Sequence, residues 1–310
     1  MLRDLLRRAS PLRSLYYRWL GITYLVRSLR SPFLRFSPAG HFHSPLPDME
    51  EIERRKAELF PENVNAIAGI DLRAEEQISL LQELAGYCVD FPFQPVQTPG
   101  MRYYWKNIYF GIHDALILFG LMRAKQPKRV IEIGSGFSSA FMIDTAERFL
   151  EPPPHFTFIE PYPQRLNSLL SQTDIQRYTL VEQPVQSVPL SLFETLEAGD
   201  ILFVDSTHVA KVGSDVLHVF FEILPRLKPG VLVHFHDISW PFQYPLVHIR
   251  MGIAWNEIYL LRAFLQYNAA FQIRYFSAYM QAAHTSKVKE CLPLALQDPG
   301  CSSLWISRLP

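Results

Sequence analysis

The segment from Arg129 to Ala140 constrains the fold of this 310-residue chain more than any other. It opens with an apolar, β-branched run that is typical of a buried parallel strand. The run breaks at Gly134-Ser135-Gly136, and a helical pattern follows, with Ser138 and Ser139 both suited to the N-cap. Glycines admit a close backbone approach, and the first N–H groups of a helix point towards a ligand. The segment therefore predicts a binding site for a small molecule with polar groups.

Two residues in this segment distinguish a dinucleotide from a ligand that carries an ammonium group. Dinucleotide sites use Gly-x-Gly-x-x-Gly, whose third glycine lets the helix pack closely on the strand, whereas Ser139 stands at that place here. Glu132, inside the strand, offers a carboxylate that can accept a hydrogen bond from an ammonium group, which a pyrophosphate lacks. The form Glu-x-Gly-x-Gly resembles motif I of the class I S-adenosylmethionine-dependent methyltransferases. An ordinary strand-to-helix turn with a strand glutamate is the alternative.

The resemblance implies a cofactor site made by this segment and by later strand ends. It places contacts to S-adenosylmethionine at Glu132, Gly134, Ser135, Gly136 and Ser138.

Strands and helices alternate along the rest of the chain. Four further apolar strands are predicted near residues 155–160, 178–183, 199–205 and 231–237, each separated from the next by a helical segment. This alternation predicts an α/β fold with a doubly wound, mostly parallel sheet. Two closing strands near 271–279 and 303–308 have no clear amphipathic run between them, which predicts an antiparallel pair at the sheet edge. The class I methyltransferase fold, a Rossmann-like sheet of seven strands, has such a pair.

A proline-rich stretch at residues 90–101 divides the chain into two parts. We expect residues 1–100 to be a basic and then helical N-terminal extension, and residues 101–310 to be the methyltransferase domain. Lys+Arg and Asp+Glu both number 30 in the whole chain, but residues 1–40 hold eight Arg and one Asp. Such a basic segment favours an anionic surface, or an acidic face of the same protein or of a partner.

Residues 1–35 mix arginines with leucines and aromatic residues, largely at helical spacing. This pattern predicts either a helix at a membrane interface or a helix docked on the protein's own body or on a second copy in a homo-oligomer. There is no run of 18 apolar residues. The three cysteines form no Cys-x-x-Cys pair and have no zinc spacing, which indicates free thiols in a reducing compartment. We interpret the chain as cytoplasmic, with peripheral membrane contact through residues 1–35 as one alternative.

Polar residues at the predicted strand ends extend the ligand site, because ligands of doubly wound sheets bind at the carboxyl ends of the strands. Glu160 ends the second strand, and its two carboxylate oxygens suit the two hydroxyls of a ribose. Gln183 ends the third strand and is placed to contact adenine. Solvation of the strand ends is the alternative explanation for these residues.

Two carboxylates, Asp205 and Asp237, end the adjacent fourth and fifth strands and should face each other. Two like charges at short range are unfavourable unless a cation lies between them or one carboxylate is protonated. A hard divalent ion such as Mg²⁺ satisfies this requirement. His208 lies three residues after Asp205, where a neutral imidazole could act as the general base for a nearby hydroxyl.

Asp205-x-x-His208 together with His236-Asp237 resembles the methyltransferase family 24 group, over about residues 100–310. The group includes metal-dependent O-methyltransferases that act on sugar hydroxyls of macrolides. The resemblance implies metal binding by Asp205 and Asp237 and a catalytic base at His208. Relatives often carry an acidic residue where this chain has His236, which could ligate a softer ion, donate a hydrogen bond, or leave the site without metal.

Four aromatic residues lie on or near the loop after the fifth predicted strand. Trp240, Phe242, Tyr244 and Trp255 either stack on a sugar ring or pack the loop against the protein.

The predicted function is methyl transfer from S-adenosylmethionine to a hydroxyl of a sugar, a glycan or a glycosylated natural product. The alternative from another class is a non-catalytic binding or scaffold protein in glycan assembly that keeps this fold. A NAD-dependent oxidoreductase is disfavoured by Ser139 and by the lack of Tyr-x-x-x-Lys after the fourth strand. Nucleic acid is not an expected partner, since no Asn-Pro-Pro-Tyr motif is present.

Overall fold

The computed structural model describes residues 19, 21–23, 26, 29, 32, 36–297 and 300–310, except the side chains of residues 172 and 175. Most of the basic segment 1–35, including the predicted interfacial or docked helix, lies outside the described residues. The chain separates into two compact units, residues 1–62 and 63–310. None of the helices among the described residues has the length and apolar character needed to cross a bilayer.

The first unit contains two short described helices, α1 (Met49–Arg54) and α2 (Lys56–Leu59). Helix α1 begins after Asp48, whose carboxylate accepts a hydrogen bond from the Glu50 N–H at 2.8 Å. The acidic side chains in the first turn complement the positive end of the helix dipole.

The second unit is built on a seven-stranded sheet. Its strands are β1 (Arg129–Ile133), β2 (His155–Ile159), β3 (Thr179–Val181), β4 (Ile201–Val204), β5 (Leu232–Phe235), β6 (Phe271–Phe276) and β7 (Leu304–Arg308). The strand order is β3-β2-β1-β4-β5-β7-β6, with β1 to β5 parallel and β7 antiparallel to both of its neighbours. The predicted doubly wound sheet of seven strands is thus confirmed. The order reverses between β1 and β4, which is where ligands bind in such sheets.

Helices connect the strands. They are α3 (Ala74–Tyr87), α4 (Ile112–Lys125), α5 (Phe137–Phe149), α6 (Gln164–Leu169), α7 (Gln172–Arg177), α8 (Leu190–Phe193), α9 (Asp215–His218), α10 (Leu246–Arg250), α11 (Glu257–Leu265), α12 (Ser277–Ala283) and α13 (Thr285–Cys291). Helix α9 continues as a π-turn at Val219–Ile223 and a 3₁₀ turn at Leu224–Arg226, and further 3₁₀ turns lie at Val185–Ser187 and Pro293–Gln297.

The connection between β6 and β7 differs from the prediction. The antiparallel pairing of these strands is confirmed, but β6 ends at Phe276 and the chain then forms α12, α13 and a 3₁₀ turn. Each of the two helices has seven residues, which is too short to display a clear amphipathic period in the sequence. The sequence therefore shows no sign of these two helices, whereas the antiparallel pair that it predicted is present.

Helix α4 is buried along nearly its whole length, including its polar residues. Asp114 accepts hydrogen bonds from the N–H groups of Ser302 and Ser303 at 3.0 and 3.2 Å, which fixes the chain just before β7. A helix that is apolar all round belongs in a protein core, and its few polar side chains need partners there. Asp114 thus couples the central helix to the strand next to β5.

The segment that leads into α4 is held by Arg102. The guanidinium of Arg102 bonds Asp144 at 2.6 Å, Asp174 at 2.6 Å and Glu147 at 2.9 Å. The Asp144 side chain is fully buried, and it also accepts the N–H groups of Arg102 and Tyr103. These contacts tie the segment to α5, the helix that follows the glycine turn.

We predict that Arg102→Met lowers the free energy of unfolding by roughly 3 kcal/mol, because it leaves the buried Asp144 charge without its cation. Urea unfolding followed by circular dichroism measures the change. The matched control is Arg177→Met, which removes a half-exposed arginine paired with the same Glu147 and should cost about 1 kcal/mol or less. Equal costs for the two variants would contradict the buried role of Arg102.

Candidate active site

The turn after β1 is shaped by a close approach between two backbones. Gly134 adopts φ +81°, and a Cβ built on it would lie 1.7 Å from the carbonyl oxygen of Asp205. No side chain fits there, so the residue must be glycine for steric reasons as well as for its dihedral angles. The turn therefore lies directly against the end of β4.

The N-cap of helix α5 lies two or three residues earlier than predicted. Its N-cap is Gly136 rather than Ser138 or Ser139, and the Ser139 hydroxyl at N3 accepts the Gly136 N–H at 2.9 Å. Ser139 thus supplies the half of a capping box in which the N3 side chain accepts the N–H of the N-cap residue.

Glu132 lies beneath this turn and does not line the cavity above it. Its two carboxylate oxygens accept hydrogen bonds from the hydroxyls of Ser138, at 2.5 Å, and Ser139. Burial is complete and raises the pKa of Glu132 to about 8, against the lowering effect of those hydroxyls. The predicted contact between Glu132 and a ligand ammonium stays a prediction; in the structure these two hydroxyls engage the carboxylate, which shapes the turn from below.

A cavity of about 440 Å³, termed the first cavity, opens above the turn. It brings together most of the predicted site residues: Gly134, Ser135, Gly136, Ser138, Glu160, Asp205, His208, His236 and Asp237. A second cavity of about 370 Å³ adjoins it and shares Gly134, Glu160 and Asp205.

Glu160 and Ser135 line the first cavity with polar atoms. The Glu160 carboxylate accepts the N–H of Ser135 at 3.1 Å and that of Tyr162 at 2.7 Å. The Ser135 hydroxyl is buried and has no hydrogen-bond partner among the described residues. A buried polar atom of this kind is normally satisfied by a water or a ligand. The cavity thus suits a molecule with polar groups of its own.

Gln183 is not brought to either cavity. Strand β3 ends at Val181, two residues before Gln183, whose side chain is exposed. Val185 and Gln186, on the 3₁₀ turn that follows, line the second cavity instead. The sequence indicated the correct strand but an end that was two residues too late.

His208 is the centre of a cluster of carboxylates. Its Nε2 atom lies 3.4 Å from Asp205 Oδ1 and 3.4 Å from Asp237 Oδ2, and its Nδ1 atom lies 2.8 Å from Glu257 Oε2. The predicted convergence of Asp205, His208 and Asp237 is therefore present in the structure. Glu257 is an additional member, and it is almost completely buried.

Two of these residues have an unusual backbone. His208 and Asp237 adopt φ values of 59° and 58°, in the left-handed region that disfavours residues other than glycine. Such conformations persist only where the surrounding structure enforces them, and they concentrate at functional sites. The enforcement at His208 is visible, since its carbonyl accepts the N–H groups of Asn256 and Glu257 at 3.0 and 3.1 Å.

The charges in the cluster are strongly coupled. Burial lowers the pKa of His208, but its contacts with Asp205, Asp237 and Glu257 outweigh this and raise it well above the ordinary histidine value. Burial raises the pKa of Asp237, whereas His208 and His236 lower it to a value below the usual range. The imidazole therefore carries a proton at neutral pH unless another cation neutralises the carboxylates.

The donor atoms fit such a cation. Asp205, His208 and Asp237 each offer one ligand atom, and these atoms lie within 4.8 Å of one another. Carboxylate oxygens with one imidazole nitrogen are ligands for divalent metals. Glu257 holds the far nitrogen of His208, as a carboxylate does behind a metal-ligating histidine.

His236 is not in this set, although it lines the same cavity, so its predicted role as a metal ligand stays a prediction. Its Nε2 atom lies 3.2 Å from the carbonyl oxygen of Tyr109, and its Nδ1 atom lies 3.3 Å from Nε2 of His234. Both ring nitrogens of His236 are thus engaged, and His208 is the imidazole that lies with Asp205 and Asp237.

Glu257 was not assigned a role from the sequence. It is separated from His208 by 49 positions, and its only local signal is an acidic side chain in the first turn of α11. That signal ordinarily indicates helix-dipole stabilisation.

Residues 131–238 match the family model described as "Methyltransferase domain". An uncharacterized protein of Archaeoglobus fulgidus is 38% identical over 165 residues, which cover 52% of this chain and 73% of the relative. Among solved structures, CmcI with Mg and SAM is 14% identical, over 71% of this chain and 78% of CmcI, with a TM-score of 0.43. The O-methyltransferase TomG of Streptomyces achromogenes, in complex with SAM, is 16% identical, over 84% of this chain and 96% of TomG, with a TM-score of 0.40. Structural likenesses at these scores carry no information about activity.

We predict that Gly134→Ala destabilises the protein by several kcal/mol, because its Cβ would meet the Asp205 carbonyl. The matched control is Gly252→Ala, which has φ +77° but nothing within 4 Å of the added atom and should cost only about 1–2 kcal/mol. Thermal unfolding of the two variants measures the difference. A cost for Gly134→Ala no larger than that of the control would show that the turn can move away from β4.

Proposed function

Because this chain belongs to the class I methyltransferase family, we propose that it transfers the methyl group of S-adenosylmethionine to a hydroxyl of a sugar, a glycan or a glycosylated natural product. The observation that carries the proposal is that one cavity contains both the glycine turn with Glu160 and the cluster of Asp205, His208 and Asp237. Binding groups for the cofactor and a group that can take a proton from an acceptor thus face the same space.

The first and second cavities together suit the cofactor. The backbone of the glycine turn and the unpartnered Ser135 hydroxyl offer hydrogen bonds to its amino-acid portion. Glu160 lines both cavities, and its carboxylate can accept hydrogen bonds from ribose hydroxyls. The adenine would then lie in the second cavity, which is lined by Val185 and Gln186. When bound, the cofactor supplies a methyl group on a sulfonium, which is already electrophilic.

His208 is the residue that removes the acceptor proton in this proposal. Its Nε2 atom points at the space between Asp205 and Asp237, and Glu257 accepts the Nδ1–H and fixes the ring orientation. The acceptor oxygen bonds to the methyl carbon as the carbon–sulfur bond breaks, and the hydroxyl proton passes to Nε2. The residues mainly position and deprotonate, which is the usual contribution of a protein to such a displacement.

Asp205 and Asp237 would hold a divalent cation such as Mg²⁺, with His208 within reach as a further ligand or as the base. The cation would neutralise the two carboxylates and acidify an adjacent hydroxyl. The carboxylates would then no longer keep the proton on His208, so the imidazole could accept one.

The second candidate is a non-catalytic binding or scaffold protein in glycan assembly that keeps the fold. The left-handed backbone at His208 and Asp237 and the buried Glu257 behind His208 count against it. A scaffold needs none of these features. Their cost in stability is consistent with a chemical role.

The test is isothermal titration of the full chain with S-adenosylmethionine, followed by methyl-transfer assays over a panel of neutral glycans with Mg²⁺ and with EDTA. We expect binding in the micromolar range and transfer that EDTA reduces at least tenfold. Asp205→Asn should weaken the dependence on Mg²⁺. No binding at millimolar cofactor would remove the enzyme proposal in favour of the scaffold, and equal rates in EDTA would remove the cation.

We predict that His208→Ala lowers turnover at least tenfold while cofactor affinity stays within about threefold of wild type, because the base is lost and the glycine turn is not touched. The matched control is His155→Ala, at the exposed start of β2, which should keep both values. Unchanged turnover in His208→Ala would remove His208 as the base. A parallel loss of cofactor affinity would indicate a structural role instead.

A further inference from the structure

Building on the proposed function, we infer that a third cavity beside Asp237 is the subsite that holds the acceptor, and that it selects an uncharged, polyhydroxylated ring such as a neutral sugar. The cavity measures about 560 Å³ and is bounded by Trp240, His248, Gln281 and Cys301. This volume lies within the ~300–1,000 Å³ that is usual for small-molecule sites.

The position of this third cavity relative to the cluster supports the inference. Asp237 lines both the first cavity and the third cavity, so it forms part of the wall between them. Asp237 also faces Nε2 of His208 at 3.4 Å. An acceptor whose body lies in the third cavity can therefore present a hydroxyl at Asp237, next to the base.

The indole of Trp240 gives this cavity a fixed aromatic wall. Its Nε1–H donates to the carbonyl of Val64 at 3.1 Å, and its ring lies 4.8 Å from that of Tyr279. Two other aromatics of the same loop, Phe242 and Tyr244, are almost completely buried and pack the loop down. Of these three aromatic residues, only Trp240 lines the third cavity. Its ring offers an apolar surface for the C–H groups of a sugar ring.

His248 and Gln281 are polar residues that line the same space. The Nδ1 atom of His248 is buried and has no hydrogen-bond partner among the described residues. The Oε1 atom of Gln281 is held by Nδ1 of His113 at 3.0 Å and by Sγ of Cys301 at 3.2 Å. These contacts fix the amide, whose nitrogen carries two donors that can serve hydroxyl oxygens. Donors and acceptors beside an aromatic wall are the groups that a polyhydroxylated ring requires.

The charge of the lining sets the selectivity. Among the described residues that line the third cavity, Asp237 is the one charged side chain, and none is lysine or arginine. A carboxylate or phosphate on the part of the acceptor that lies away from Asp237 would lose its hydration there without a lysine or arginine to pair with, which is costly. Uronic acids and phosphorylated sugars should therefore be rejected relative to neutral sugars of the same shape.

The experiment uses saturation-transfer difference NMR on the full chain. The probes are methyl α-D-glucopyranoside, methyl α-D-galactopyranoside and methyl α-D-mannopyranoside at millimolar concentration, with methyl α-D-glucuronide, which has the same anomeric configuration, as the anionic probe. The test variant is Ala282→Trp, at an exposed position of α12 that lines the cavity. The control is Ala283→Trp, the next residue, which is also exposed but does not line it.

We expect saturation transfer to at least one neutral glycoside, a reduction of at least fivefold in Ala282→Trp, retention in Ala283→Trp, and at least fivefold less transfer to the glucuronide. The subsite would be overturned by any of three results: equal signals in the two variants, a glucuronide signal equal to that of the neutral glycosides, or no transfer to any neutral glycoside.

Titration with S-adenosylmethionine separates the two proposals. If the wild-type protein binds a glycoside but not the cofactor, the proposed function fails and the subsite stands. If it binds the cofactor but no glycoside, the subsite fails and the proposed function stands.

Discussion

The close contact between Gly134 and the backbone of Asp205 is the constraint on which the rest of the site depends. It is possible only because residue 134 has no side chain, since a Cβ would lie 1.7 Å from the Asp205 carbonyl oxygen. The contact brings the turn after β1 against the end of β4, at the point where the strand order reverses. The cofactor side and the carboxylate side thereby share one cavity, as the binding rule for doubly wound sheets requires.

The start of α11 gives the carboxylate side its geometry. The N–H groups of Asn256 and Glu257 hold the carbonyl of His208, and the Asn256 side chain accepts the N–H of Ala210 at 2.6 Å. The same turn of helix supplies the Glu257 carboxylate that holds the His208 ring. One helix terminus therefore enforces both the left-handed backbone and the ring orientation. The stability cost of the backbone is compensated by hydrogen bonds that also fix the orientation of the imidazole.

Helix α4 supports the site through two buried polar side chains, His113 and Asp114. Asp114 fixes Ser302, whose carbonyl accepts the N–H of Ile238 at 2.8 Å and whose hydroxyl lies 3.4 Å from Asp237. His113, one residue earlier on α4, holds Gln281 at the third cavity. Buried polar side chains in an otherwise apolar helix are costly unless they are satisfied. Here their partners are the residues that shape the Asp237 side of the site, so the core helix and the proposed acceptor subsite are coupled.

The sequence by itself determined the sheet and most of the pocket lining. The β-branched runs, the glycine turn and the polar residues at strand ends are local signals, and parallel strands carry their ends to one edge. Hence Glu160, Asp205, His208 and Asp237 could be placed together from the chain alone. Only the tertiary structure decided that Glu132 lies under the turn, that Gln183 faces solvent, and that His208 rather than His236 completes the cluster. Those outcomes depend on tertiary contacts: β3 ends at Val181, the Glu132 oxygens accept the serine hydroxyls, and both ring nitrogens of His236 have partners. Glu257 reaches His208 across 49 positions through packing that no periodicity encodes, because its contact depends on how α11 docks against the loop after β4.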